Sequence, residues 1–361
     1  MTLSMTWDDV LHWRCRRQLL HRPAEADDPV TVVRALAGVQ AQVASCAEQA
    51  VAARQRVPQP HSVRAALQDK LLVKTWAQRG TLHLLEARQA PAFLALLAAA
   101  RTWEKAPWQK TFVTVAQLEK IAEAAYEVLD GAVLTREELA AAVVERAKDD
   151  SLREHLASGW GAVLKPLAWR GVLVYGPNSE GDNRVTFTRP DTYLLGWAGL
   201  PGPEAAARVA IPAYLGAYGP ASAAAFDQWL IRGASKKAAL RGWFDGLVSD
   251  GVLAQVDVEG ERLYARAEDL ESLADVEPFD EVRLLPPFDQ FVLGPGTADT
   301  RMVPKERRAQ VSRAAGWISG VVACRGRVAG VWDADGTTLF EEQGRVPAKQ
   351  LAAERARLAA I

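Results

Sequence analysis

LTREELAAAVVERA, residues 134–147, is followed by a second Ala- and Leu-rich stretch to Trp169, then by VLVY, 172–175, and RVTFT, 184–188; this passage decides the fold. Thr135 stands three residues before Glu138, the spacing at which a hydroxyl and a carboxylate cap a helix start reciprocally, so a helix is predicted over 134–147. A second helix is predicted over 159–169, stopped by Arg170-Gly171. The β-branched runs predict two short strands flanking a polar stretch, 176–183, that is too long for a tight hairpin and suits an exposed wing. Helix, helix, strand, wing, strand is the order of a winged helix.

Working outward, the pattern recurs. ASAAAFDQWL, 221–230, and KKAALRGWFDGLVSDG, 236–251, read as two helices, the second stopped by Gly251; VLAQVDV, 252–258, and ERLYARA, 261–267, read as strands joined by Glu259-Gly260. A less regular N-terminal copy has helices expected near 7–20, 30–42 and 61–72, then the strand-like TWAQRGTLHLL at 75–85. After Val276 the helical period disappears: EVRLLPPFDQFVLG, 281–294, and WISGVVACRGRVAGVWD, 317–333, predict a small β-barrel or sheet, and the tail from 346 an amphipathic helix. The expected architecture is mostly α with β (α+β), three tandem winged-helix modules (1–105, 106–200, 201–275) followed by a small β-barrel-like domain (276–361).

Composition narrows the function classes. With 43 basic and 44 acidic residues in 361, any grip on phosphate must come from local clusters of Arg and Lys rather than a global field. Three widely spaced cysteines, Cys15, Cys46 and Cys324, argue against a disulfide framework or structural zinc and predict a reducing cytoplasm. The first residues lack an export pattern, and the longest apolar run, FLALLAAA at 93–100, is short for a membrane span. No phosphate loop, metal cluster or nucleophile motif is present, and the acidic residues, such as Glu137, Glu138, Asp149 and Asp150, fall on solvent faces rather than isolating a two-carboxylate pair. Neither a metal nor a cofactor is expected.

Tandem winged helices suggest double-stranded DNA, since the second helix of each fits a major groove. Lys165, Trp169 and Arg170, with Trp160, place cations and aromatic groups on such a helix, although each tryptophan alone also fits a core. Arg301, Lys305, Arg307 and Arg308 form the densest basic run, as suited to DNA phosphates as to an ordinary solvated face. Strand alternation would put Arg79, Thr81 and His83 on one polar face that could meet DNA; the alternative is His83 packed in the module core.

Four motifs in order carry a family resemblance: GVQAQVASCAEQAVAARQ (38–55), TWAQRGTLHLL (75–85), LLPPFDQFVLG (284–294) and GRVAGVW (326–332). Together they resemble the AlkZ-like winged-helix DNA glycosylases over nearly the whole chain, with a departure at 293–302, which lacks that family's aromatic and Asp-Arg spacing. The resemblance implies a monomeric, monofunctional glycosylase that removes bulky N7-alkylated purines from duplex DNA, in self-resistance to a DNA-alkylating natural product. It also implies that Gln40 and Gln42, flanking Ala41, are catalytic. Two neutral amides suit that chemistry, because an N7-alkylated purine is cationic and leaves as a neutral base without protonation. In a regular helix the two glutamines would point about 200° apart, so they could share a substrate only at a helix end or bend, which Gly38 makes plausible. Two rivals are a non-catalytic winged-helix transcriptional regulator and a protein-interaction scaffold.

Overall fold

The computed structural model describes residues 3–21, 23, 28–157, 161–177 and 184–358. Thr135 caps the helix Arg136–Ala147 as its spacing predicts, its Oγ1 accepting from Glu138 N (3.3 Å) while the Glu138 carboxylate accepts from Thr135 N (2.8 Å). With the helix Val115–Val128 before it, this element leads to the helix Leu164–Trp169 and to the strands Val174–Tyr175 and Thr186–Thr188. Thr186–Thr188 lies between Val174–Tyr175 and a short strand, Val133–Thr135. The start of the helix expected over 159–169, including Trp160, and residues 178–183 of the expected wing lie outside the described residues.

The same order, helix, strand, helices, two strands with the last strand in the middle of the sheet, occurs twice more, with two helices in place of the three of this repeat, where Leu152–Ala157 stands between Arg136–Ala147 and Leu164–Trp169. Near the N-terminus it comprises the helices Pro29–Ala35, Ala44–Ala52 and Ser62–Gln68 and the strands Val39–Gln40, Leu72–Trp76 and Leu82–Glu86. Further on it comprises the helices Pro203–Tyr218, Ala223–Ile231 and Lys237–Ser249 and the strands Leu253–Val258 and Glu261–Arg266, with Ala221 bridging Tyr264 in place of a first strand. Here the two strands meet at a two-residue turn, Glu259 and Gly260 both at positive φ, which matches the twist of the hairpin. The strand Ser4–Met5 adds itself in parallel to the outer side of Leu253–Val258.

Two N-terminal expectations need correction. The helix expected over 30–42 stops at Ala35, because Ala37 and Gly38 take positive φ and the chain turns into the strand Val39–Gln40. Only glycine fits at 38: a Cβ there would lie 2.7 Å from Leu85 Cδ2 and 3.3 Å from Leu84 O. The single strand expected over 75–85 is instead broken by a turn, Ala77 to Thr81, with Arg79 in the left-handed region (φ +57°).

The C-terminal strands Val282–Leu285, Gly320–Cys324, Arg327–Asp333 and Gly336–Leu339 pair antiparallel in sequence order, and the expected barrel does not close. Four short strands leave two edges, and the first is covered instead: the helix Ala348–Leu358 lies on it, Gln350 Oε1 accepting from Val282 N (3.1 Å) and Glu354 Oε1 from Leu284 N (3.4 Å). Arg54, at the end of Ala44–Ala52, makes a bidentate ion pair with Asp289 (2.8 and 2.7 Å), both side chains fully buried. It locks the N-terminal repeat to the closing sheet. Among the described residues no helix is long and apolar enough to cross a membrane.

Candidate active site and nucleic-acid interface

The glutamine motif lies on an extended segment, not on a helix. Gln40 ends the strand Val39–Gln40, and Ala41 continues the ladder by donating its N–H to Leu82 O (2.7 Å). Extended backbone sends residues i and i+2 to one side, so the 200° divergence of a helix does not arise. Gln40 is nearly buried and Gln42 is exposed. No hydrogen bond to the rest of the described residues restrains either amide, which leaves both able to turn toward a substrate.

Gln40 stands opposite His83 in the ladder, and His83 stands opposite Thr75 on its other side, so the three polar side chains form one row across the sheet. His83 Nδ1 lies 3.0 Å from Thr81 O, which fixes the neutral ring with the proton on Nδ1. Burial, reinforced by the nearby Arg79 guanidinium, pushes its pKa down to about 3. His83 Nε2 and Thr75 Oγ1 are buried without a partner. Ala41, between the glutamines, points to the other face of the sheet, where with Leu84 and Lys74 it lines a groove of ≈420 Å³ whose other walls include Leu67, Tyr175 and Tyr193.

The residues expected to meet DNA are distributed unevenly. His83 is 1% exposed, and Trp169, 8% exposed, packs beside Trp103, so neither side chain presents the groove-facing surface expected of it. Arg79 is not on a strand face with His83; it sits in the turn, its Nη1 donating to Trp229 O (3.3 Å) and Leu293 O (3.4 Å). Arg170 is held by Glu119 through two hydrogen bonds (3.1 and 2.7 Å). In the basic run, Arg301 pairs with Glu261 and lies 3.7 Å over the Trp7 ring, and Arg307 pairs with Glu342 (2.6 and 3.1 Å). Lys305 and Arg308 are exposed and have no carboxylate partner among the described residues. No group of three His, Cys, Asp or Glu side chains among the described residues could hold a metal ion.

A family model described as DNA glycosylase AlkZ-like matches residues 33–361. The chain is 44% identical, over 99% of its length and 96% of the relative's, to an interstrand DNA cross-link repair glycosylase of Streptomyces sahachiroi. The solved structure of the Streptomyces sahachiroi DNA glycosylase AlkZ superposes with a TM-score of 0.93, at 44% identity and covering 99% of this chain and 96% of that one. The chain belongs to the AlkZ-like DNA glycosylase family. As an AlkZ-like enzyme it is a DNA glycosylase, and neither a non-catalytic regulator nor a scaffold accounts for it.

The four motifs of this AlkZ-like glycosylase converge in space. Gln40 of the first faces His83 of the second, Arg54 of the first pairs with Asp289 of the third, and Trp332 of the fourth donates its indole N–H to Leu285 O (2.8 Å) in the third. Sequence reading missed Arg54 as the lock and Arg232 as a cation near Arg79. The Arg232-Gly233 pair, echoing Arg79-Gly80, was the available signal.

Proposed function

We propose that this AlkZ-like enzyme is a monofunctional glycosylase, acting as a cytoplasmic monomer, that hydrolyses the N-glycosidic bond of bulky N7-alkylated purines in duplex DNA. Gln40 and Gln42 are its catalytic residues. The observation that carries the reading is the extended Gln40-Ala41-Gln42 segment: it sends the two amides to one side, the side on which Gln40 stands in a polar row with His83 and Thr75. The three repeats serve as winged-helix modules, roughly 1–105, 106–200 and 201–275, that seat the duplex, and residues 276–361 close the array.

The chemistry asks little of the side chains. An N7-alkylated purine carries positive charge that is relieved as the bond to the sugar stretches, so no acid is needed for the leaving base. The amide oxygens orient a water and face the developing sugar cation with the negative ends of their dipoles, while neutral His83 beside Gln40 adds no opposing charge. An unmodified purine, which does need protonation to leave, is untouched. The name of the 44% identical relative extends the substrate range to interstrand cross-links, and self-resistance to a DNA-alkylating natural product is the role that fits such substrates.

The test is a panel of duplexes each carrying one N7-alkylguanine, from methyl to large polycyclic substituents, with abasic sites read by strand cleavage in alkali. The proposal expects excision that persists as the adduct grows. Excision of the methyl adduct alone would remove the bulky-substrate reading.

A further inference from the structure

The Arg79-Gly80 turn is a meeting point of the three repeats. Arg79 belongs to the first. Lys165, on the helix Leu164–Trp169 of the second, places its Nζ 3.9 Å from where a Gly80 Cβ would be. From the third, the helix Ala223–Ile231 packs on the turn, Trp229 O accepts from Arg79 Nη1 (3.3 Å), and Arg232 caps that helix three residues later in a left-handed conformation. Among the described residues no carboxylate pairs with any of the three cations.

Such an arrangement is unfavourable in isolation, since a desolvated guanidinium without a counter-ion costs stability and two further cations add repulsion. Burial pushes Arg79 down to about 10, with Arg232 adding to the effect, and Lys165 is lowered by burial and then by Arg232. Buried donors are also in excess: Arg79 Nη2, Trp169 Nε1 and Trp229 Nε1 have no acceptor. Trp169 Cζ2, two bonds from that Nε1, lies 3.6 Å from the Gly80 Cβ position. Arg79 and Trp169 thus bring donors without acceptors to one turn, and Trp229 brings another on the helix packed against it.

We infer that Arg79, Lys165 and Arg232 form a single anion site that takes one backbone phosphodiester of the DNA. The turn leads directly into the strand Leu82–Glu86, on which His83 faces Gln40, so a phosphate held there anchors the strand bearing the target nucleotide beside the catalytic segment. The inference rests on the reading that the enzyme holds duplex DNA at this segment, and it adds Arg232 to the contacts and a one-phosphate stoichiometry.

The experiment measures the affinity of the full chain for an unmodified duplex as a function of potassium chloride, for the parent, Lys165→Ala, Arg232→Ala and the double variant. Each phosphate neutralised contributes roughly 0.9 to the magnitude of the log-log slope. One shared phosphate predicts that each single variant weakens binding several-fold and that the double variant loses about 0.9 in slope in total. Slopes and affinities equal to the parent's, or a loss of about 1.8 in the double variant from two separate phosphates, would overturn it. A parent that binds no duplex would instead remove the underlying reading. Arg79 is left intact, so loss of folding does not enter the comparison, and equal melting temperatures of the four proteins check this.

Discussion

Gln40 and His83 face each other across the antiparallel strands Val39–Gln40 and Leu82–Glu86, with the imidazole held neutral by burial and by the nearby Arg79 guanidinium, and oriented by its Nδ1 contact to Thr81 O. A histidine at about 3 in the folded chain and near 6.5 in the unfolded one binds its proton only on unfolding between those values. Stability from this group is therefore complete above pH 6.5 and falls as the pH drops toward 3, by as much as about 1.4 kcal/mol per pH unit. Urea denaturation across that window should show the loss in the parent and a flatter profile in His83→Asn, whose amide can still donate to Thr81 O. Equal slopes in the two proteins would mean that His83 is not the buried neutral group described.

The buried Arg54–Asp289 pair is the second structural commitment. Arg54→Met leaves the Asp289 carboxylate in a dry site with only the Phe291 N–H to satisfy it, and should cost about 3–5 kcal/mol in denaturant unfolding. Replacing both, as Arg54→Met with Asp289→Leu, should recover part of that loss, because the stranded charge is removed with its partner. A double variant no more stable than the single one would contradict this account of the lock.

Much of this was legible in the sequence, and the reasons are local. The Thr135–Glu138 cap and the Glu259-Gly260 turn depend on residues three or fewer positions apart, so spacing alone placed them. The glutamine segment was different. Its side chains suit a helix as well as a strand, and what decides is the approach of Leu84 and Leu85 to Gly38, a contact spanning more than forty residues of chain. Alternation puts Arg79 and His83 on one outward face, and a groove-facing helix puts Trp169 outward, with a core position as the alternative for His83 and Trp169; the structure buries both and folds Arg79 into a turn. The open closing sheet was hidden for the same reason, since whether strands close depends on which edge the last helix covers.

The basic run divides into paired and unpaired cations. Lys305→Ala and Arg308→Ala should each flatten the salt dependence of duplex binding by roughly 0.9 if they contact phosphate, whereas Arg307→Ala, already paired with Glu342, should change it less. Fluorescence anisotropy at several salt concentrations measures the slopes. Identical slopes in all three variants and the parent would return the run to an ordinary solvated face.

The most direct test is the single-turnover excision rate of a bulky N7-alkylguanine from duplex DNA by Gln40→Ala and Gln42→Ala, compared with the parent at saturating enzyme. Loss of one oriented dipole costs on the order of 3 kcal/mol, so each variant should slow excision by roughly a hundredfold, Gln42→Ala at least as much as Gln40→Ala, with duplex affinity and melting temperature near those of the parent. Excision by both variants at the parental rate would contradict the assignment of catalysis to the two glutamines.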